Sequence, residues 1–201
     1  SSEFGKTYPV IIDGKKIYTS ENMIRMSPTD KRIILGYMSK ANSAHAKKAI
    51  QAAMNAFKNW SIIDYKKRIK LFRKIGTIMK KRKFELSAWL TFENGKNRYE
   101  SIADIDEAID FIIYYSDEME RNDGFVTRKL RSSDEQNTSM MKPYGVWAVI
   151  APFNFPAAIL VGMSVGAVIT GNTVIIKPAS DTPIIGYKIV EIMIEAGVPN
   201  G

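Results

Sequence analysis

Between Lys142 and Lys177 the chain runs for 34 residues without a charge, "PYGVWAVIAPFNFPAAILVGMSVGAVITGNTVII". An uncharged stretch of that length belongs either in a protein core or in a bilayer. The Gly162 to Gly166 spacing is compatible with packed membrane helices. Pro152 and Pro156, however, interrupt the first half, Asn154 would be unpaired in lipid, and "TGNTVIIKP" closes the stretch with turn and strand signals. No membrane association is therefore expected. The remaining solution is a core of alternating elements. "GVWAVIAPF" reads as a buried strand, Pro156 to Thr170 as a helix apolar on all sides, and "NTVIIKPA" as a second buried strand. Thr182 to Ala196 follows as a helix closed by Gly197. Strands apolar on both faces that alternate with helices predict a parallel α/β sheet with right-handed crossovers. Two strands do not make a stable parallel sheet, so further chain is expected to complete it.

The preceding residues follow a different grammar. "YPVIIDGKKIYT" alternates around Asp13-Gly14 and predicts a hairpin, and "SPTDKRIILGYMSKA" predicts a further turn and strand. Helices are expected at about Ser43–Trp60, with Ser43 as N-cap, at Asp64–Leu90 and at Arg98–Arg121. "ENGK", from Glu93 to Lys96, breaks the second from the third. The polar stretch "RSSDEQNTS" predicts an exposed loop or edge hairpin.

Composition removes several chemistries. The 201 residues contain no cysteine and one histidine, His45. Disulfides, thiolate metal sites and a cysteine nucleophile are thereby excluded from this chain, and neither a Ser-His-Asp arrangement nor a metal site is expected. His45 lies at a polar helix start and reads as a surface residue. The net charge of +8 invites a nucleic-acid reading, but ten of the 29 Lys and Arg fall between Lys66 and Lys83. There, Leu71, Phe72, Ile75, Ile78 and Met79 recur at helical spacing, which predicts a core-facing stripe with a solvated basic back. No interleaved aromatic platform accompanies the charge, so no nucleic-acid partner is expected.

Asn154 follows the first buried strand, where open α/β sheets place their ligands. Pro156 is suited to the first helical position and Pro152 stiffens the approach. An amide on such a rigid turn can donate to a developing oxyanion, or it can cap the following helix; the spacing leaves both readings open. Lys177 is either an ammonium at the mouth of that crevice or the solvated end of a strand. Glu107, Phe111 and Tyr114 share a helix face apart from the stripe of Ile102, Ile105, Ile109 and Ile112. That places a carboxylate beside two aromatic rings, suited to a cationic amine, or leaves a surface acid.

"VIAPFNFPAAILVGMSVGAVITGNTVIIKPASDTP" followed by "EAGVPNG" resembles the cofactor-binding region of the aldehyde dehydrogenase superfamily. The resemblance extends through "AIQAAMNAFKNW" and "FENGKN", and "FENGKNRYESIADIDEAIDFIIYY" is most similar to the 1-pyrroline-5-carboxylate dehydrogenases. It implies an α/β fold in which strands and helices precede the start of a parallel Rossmann-like sheet. Residues 1–123 would pack on the cofactor domain, 124–142 would form a hairpin or oligomerisation segment, and 143–201 would begin the dinucleotide-binding domain. It implies an enzyme that oxidises L-glutamate γ-semialdehyde to L-glutamate with NAD or NADP, as a cytoplasmic homo-oligomer. Asn154 matches the oxyanion-stabilising asparagine; Ile150, Ala151, Pro152 and Phe153 match the turn lining the nicotinamide; Lys177 matches the ribose-binding lysine. Glu107 and Phe155 match substrate-contacting positions. Phe153 stands where the family usually has tryptophan, and Ser180 where NAD-preferring members often carry glutamate, which points to use of NADP as well as NAD. The nucleophilic cysteine and the glutamate base of the family lie downstream of the position of Gly201, so this chain alone is expected to be inactive. The alternatives are a dehydrogenase for another small aldehyde such as succinate semialdehyde, a non-catalytic nucleotide-binding or assembly module, and a basic nucleic-acid or membrane-surface protein.

Overall fold

A computed structural model of the chain describes residues 3–129 and 135–201. Its N-terminal part holds β1 (Lys6–Tyr8), β2 (Val10–Ile12), β3 (Lys15–Ile17), β4 (Asn22–Met26) and β5 (Ile34–Ser39). β2 and β3 pair antiparallel across Asp13-Gly14, where φ is +52° and +69°. Two successive left-handed residues give the turn a twist that matches the flanking strands. β5 is the centre of a separate sheet, parallel to β1 and antiparallel to β4.

Four helices follow: α1 (Ser43–Trp60), α2 (Tyr65–Lys81), α3 (Lys83–Asn94) and α4 (Arg98–Arg121). Two expectations need correction here. The N-cap of α1 is Asn42, not Ser43: the Asn42 side chain accepts the His45 N–H at 3.1 Å, and His45 Nδ1 accepts the Asn42 N–H at 3.2 Å. His45 thus completes a reciprocal cap rather than facing solvent idly. The single helix expected over Asp64–Leu90 is two, because Arg82 departs from helical geometry at φ −97° and ψ 13°. That break re-aims the chain so that Phe72, Ile75 and Met79 of α2 and Leu86, Trp89 and Leu90 of α3 all reach one core. Leu71 and Ile78 pack at its edge.

The basic back of α2 is not wholly solvated. Arg68 is buried, and its Nε donates to the Ile169 carbonyl at 2.7 Å while another guanidinium nitrogen donates to the Ile63 carbonyl. Arg73 pairs with Asp117 and Glu120, Arg82 with Glu85 and Glu195, and Lys83 with Asp106.

After a short 3-10 turn at Asp123–Phe125, β6 (Val126–Lys129) and β7 (Asn137–Met140) pair antiparallel, with β7 exposed throughout. The expected loop "RSSDEQNTS" falls partly on residues 130–134, outside the described residues. Then come β8 (Val146–Ile150), α5 (Ala158–Ile169), β9 (Thr173–Lys177) and α6 (Pro183–Ala196). β8 and β9 are parallel, and α5 connects them, packing on both strands and on α4. Asn172 ties the ends of this unit together. Its buried carbonyl oxygen accepts the Tyr144 and Gly145 N–H groups, and its NH₂ donates to the Ala167 carbonyl and Thr170 Oγ1. β8 is less buried than its sequence predicts: Trp147 is 49% exposed and Ile150 66%. Ala148 and Ile150 share a face, and both are exposed among the described residues. No helix among the described residues is long and apolar enough to cross a membrane.

Candidate functional site

The chain leaves β8 at Ile150 and enters α5 at Ala158, and the segment between them lies beyond the carboxyl ends of the two parallel strands. Ile150 is in register with Lys177, and the Ala151 N–H extends the ladder by donating to the Lys177 carbonyl at 3.1 Å. The sheet therefore brings Ile150, Ala151 and Lys177 together at its mouth. Beyond them Phe153, Asn154 and Phe155 are exposed.

Helix α5 starts at Ala158, two residues after Pro156, although the Ile159 N–H already bonds to the Phe155 carbonyl at 3.1 Å. Asn154 does not cap it. The Ala158 N–H is instead taken by Asp104 Oδ1 of α4 at 2.8 Å. Of the two readings the spacing left open for Asn154, the capping one is excluded, and its amide makes no hydrogen bond among the described residues. Nor is the group buried, so the cost of an unpartnered core amide does not arise.

What braces this turn is a segment that the sequence presents only as a helix break. Gly95, at φ +86°, closes α3 in the left-handed region and reverses the chain. On either side of it, Asn94 Nδ2 donates to the Phe153 carbonyl at 2.7 Å, and Lys96 Nζ lies 4.0 Å from the centre of the Phe155 ring. Lys96 also pairs at 2.8 Å with Asp104, whose carboxylate is buried. One residue earlier, the buried Glu93 carboxylate accepts the Ile184 and Ile185 N–H groups of α6 at 2.7 and 2.8 Å. Burial pushes the Glu93 carboxyl up to about 7, against the opposing pull of those two N–H groups and of Arg25. Arg25 donates to the Glu93 carbonyl at 2.6 Å. The partners of Asn94 and Glu93 lie 59 and 91 residues further along the chain, beyond any local pattern. An acid and an amide at the very end of an amphipathic helix were the only available signal.

Lys177 is exposed and its Nζ bonds to the Pro178 carbonyl at 3.2 Å. Ser180 is exposed in the turn that leads to α6. A Cβ on Gly186 would lie 2.8 Å from Pro178, so the absence of a side chain lets α6 press directly against this loop. Glu107 is exposed on α4, and among the described residues no hydrogen bond or ion pair joins it to the turn. Phe111 faces α5, with its ring 3.1 Å from where a Gly162 Cβ would sit, whereas Tyr114 is exposed and packs edge-on to Tyr115. The expected trio therefore shares a helix but not one enclosed pocket.

The assembled site offers a braced neutral donor at a sheet mouth with a cation nearby, and it contains no thiol. The model of the family described as "Aldehyde dehydrogenase family" matches residues 17–201. A 1-pyrroline-5-carboxylate dehydrogenase of Halalkalibacterium halodurans is 43% identical over 200 residues, which is 99% of this chain and 38% of that relative. The crystal structure of 1-pyrroline-5-carboxylate dehydrogenase from Thermus with bound NAD matches with a TM-score of 0.95 at 43% identity, covering 99% of this chain and 39% of that one. An NADP-dependent glyceraldehyde-3-phosphate dehydrogenase of Bacillus halodurans, complexed with NADP, matches with a TM-score of 0.89 at 27% identity, covering 96% of this chain and 42% of its own. The chain thus spans about two-fifths of the length of the relatives it matches. With the α/β architecture, the turn at Asn154 and a family match over most of its length, the chain belongs to the aldehyde dehydrogenase family.

Proposed function

We propose that this chain is the N-terminal part of an NAD(P)-dependent aldehyde dehydrogenase that oxidises L-glutamate γ-semialdehyde, the open form of 1-pyrroline-5-carboxylate, to L-glutamate. The observation that carries the reading is the Asn154 amide, exposed and without a hydrogen-bond partner among the described residues, on a turn held from several sides. A donor held in place before reaction stabilises an oxyanion without reorganising, and such donors are worth about 100- to 1000-fold in rate. The names of the relatives, both for NAD-bound and NADP-bound enzymes, support the choice of cofactor and substrate.

In this reading Asn154 steadies the oxyanion formed when a cysteine downstream of Gly201 attacks the aldehyde carbon, and a downstream glutamate activates water. The nicotinamide cofactor, when bound, accepts the hydride. Ile150, Ala151, Pro152 and Phe153 line its nicotinamide side. Lys177 offers donors to its ribose, and Ser180, neutral and exposed, tolerates a 2′-phosphate as well as a hydroxyl. Phe155 and Glu107 face the substrate, Glu107 orienting its ammonium group. Residues 1–123 and 143–201 serve as the packing and cofactor-binding portions, and 124–142 joins copies of a cytoplasmic homo-oligomer.

The test is kinetic and uses the full-length enzyme. Glutamate semialdehyde should show a higher kcat/KM than succinate semialdehyde or an uncharged aldehyde of the same length. Glu107→Gln should raise KM for glutamate semialdehyde by about tenfold, the scale of one charge-assisted hydrogen bond, and leave the uncharged aldehyde unaffected. Equal KM changes for both aldehydes would return Glu107 to the surface, and a preference for succinate semialdehyde would replace the substrate.

A further inference from the structure

We propose that Asn94 is a positioning residue for Asn154: it fixes the peptide plane from which the oxyanion donor projects, and so acts on the chemical step from outside the reacting atoms. The inference rests on the oxyanion role proposed above for Asn154. A peptide unit is planar, so the Phe153 carbonyl and the Asn154 N–H move as one rigid body. The bond from Asn94 Nδ2 to that carbonyl, at 2.7 Å, sets the tilt of the plane and with it the Asn154 N–Cα bond, the axis from which its side chain projects. On the other side of Asn154, the Phe155 carbonyl is held by the Ile159 N–H at 3.1 Å. The Phe155 ring rests against Lys96, which Asp104 holds in place. Asp104 binds the Ala158 N–H with its other oxygen. Asn154 thus follows a restrained peptide plane and precedes a restrained residue, Phe155, while its own side chain makes no hydrogen bond among the described residues.

Asn94 is itself well anchored. It is the last residue of α3, with Gly95 turning the chain immediately behind it. The neighbouring Glu93 is locked to the first turn of α6, so the base from which Asn94 reaches is rigid. Only the amide nitrogen of Asn94 can serve, because a carbonyl oxygen accepts and cannot donate. An aspartate of the same shape would face the Phe153 carbonyl with an oxygen and push the plane away.

The experiment is a double-mutant cycle on the full-length enzyme with Asn94→Ala, Asn154→Ala and the pair, and with Asn94→Asp as the isosteric variant lacking the donor. Asn94→Ala and Asn94→Asp should each lower kcat by about 10- to 100-fold, the range that a misplacement of about 1 Å produces, and by more than they change KM for NAD. In the Asn154→Ala background, adding Asn94→Ala should change kcat by less than about twofold, because the group being positioned is gone. If the Asn94 effect persists in full in that background, Asn94 acts through something other than Asn154 and the proposal is wrong. If Asn154→Ala leaves kcat intact, the oxyanion assignment fails first and the positioning role falls with it. A second readout is independent of turnover: the NMR resonances of the Asn154 side-chain amide should shift in Asn94→Asp. Unshifted resonances would overturn the coupling even if one variant lost stability.

Discussion

The Glu93 carboxylate accepts two backbone N–H groups at the start of α6 in a place that water does not reach. Burial raises its pKa from the ordinary 4.5 to about 7. The folded state therefore binds a proton more tightly than the unfolded state. The stability tied to that proton is fully present below about pH 4.5 and is lost as pH rises through about 7. The loss is on the order of 3 kcal/mol across that window. Glu93→Gln carries no titrating proton, so its stability should lack this component of the slope. Urea unfolding of wild type and Glu93→Gln at about pH 5 and pH 8 checks it. The wild type should lose ground to the variant at the higher pH. A difference between the two that stays constant would mean that Glu93 titrates at its unfolded value. Such a residue is illegible in a sequence: "ENGK" announces a helix end, and nothing in it tells which carboxylate will be buried under a helix 91 residues away.

Helix α5 has Thr170 and Asn172 to bond its Gly166 and Ala167 carbonyls, but its first N–H groups and its last carbonyls draw partners from other helices. Asp104 of α4 takes the Ala158 N–H, Trp60 Nε1 at the end of α1 donates to the Val168 carbonyl at 2.9 Å, and Arg68 of α2 donates to the Ile169 carbonyl. A cation at a helix C-terminus also meets the negative end of its dipole. Arg68→Met keeps much of the apolar stem but leaves the Ile63 and Ile169 carbonyls without this donor, which should cost about 2–3 kcal/mol. For a chain of this size that is a fall in Tm of roughly 4–12 °C, while Lys70→Met on the exposed side should change Tm by less than about 2 °C. Thermal melts of the two variants decide it, and equal shifts would remove the capping role. The elements themselves were legible where period and punctuation agreed. Asp13-Gly14 marked the hairpin, uncharged strands around an apolar helix marked the parallel unit, and Gly197 marked the end of α6. The break at Arg82 was not legible, since "KKRKFE" contains no glycine or proline and tertiary packing alone demands the turn. The Asn154 turn could be located from its two prolines. Its supports could not, because Asn94, Lys96 and Asp104 reach it only once α3 and α4 are in place.

Trp147, Ile150, Phe153 and Phe155 expose apolar surface around the end of β8. Patches of this kind on a folded chain mark surfaces that a ligand or other protein covers. A hydrophobic dye should therefore bind the 201-residue chain, and Ile150→Ser combined with Phe153→Ser should lower its fluorescence. A dark dye with a monomeric sedimentation profile would mean that the surface is closed in solution. Charge is distributed on the opposite principle: the excess between Lys66 and Lys83 is partly returned to the acids of α4 and α6 through Arg73 of α2, Arg82 at the break and Lys83 of α3. The caps of α5 also bear on synthesis. Asp104, Arg68 and Trp60 precede their partners in α5 by 54, 101 and 108 residues. As the nascent chain leaves the ribosome, each of them emerges before the apolar helix that needs it. The helix is thus born into a waiting cradle, and its time as a bare hydrophobic segment open to aggregation or chaperone capture is kept short.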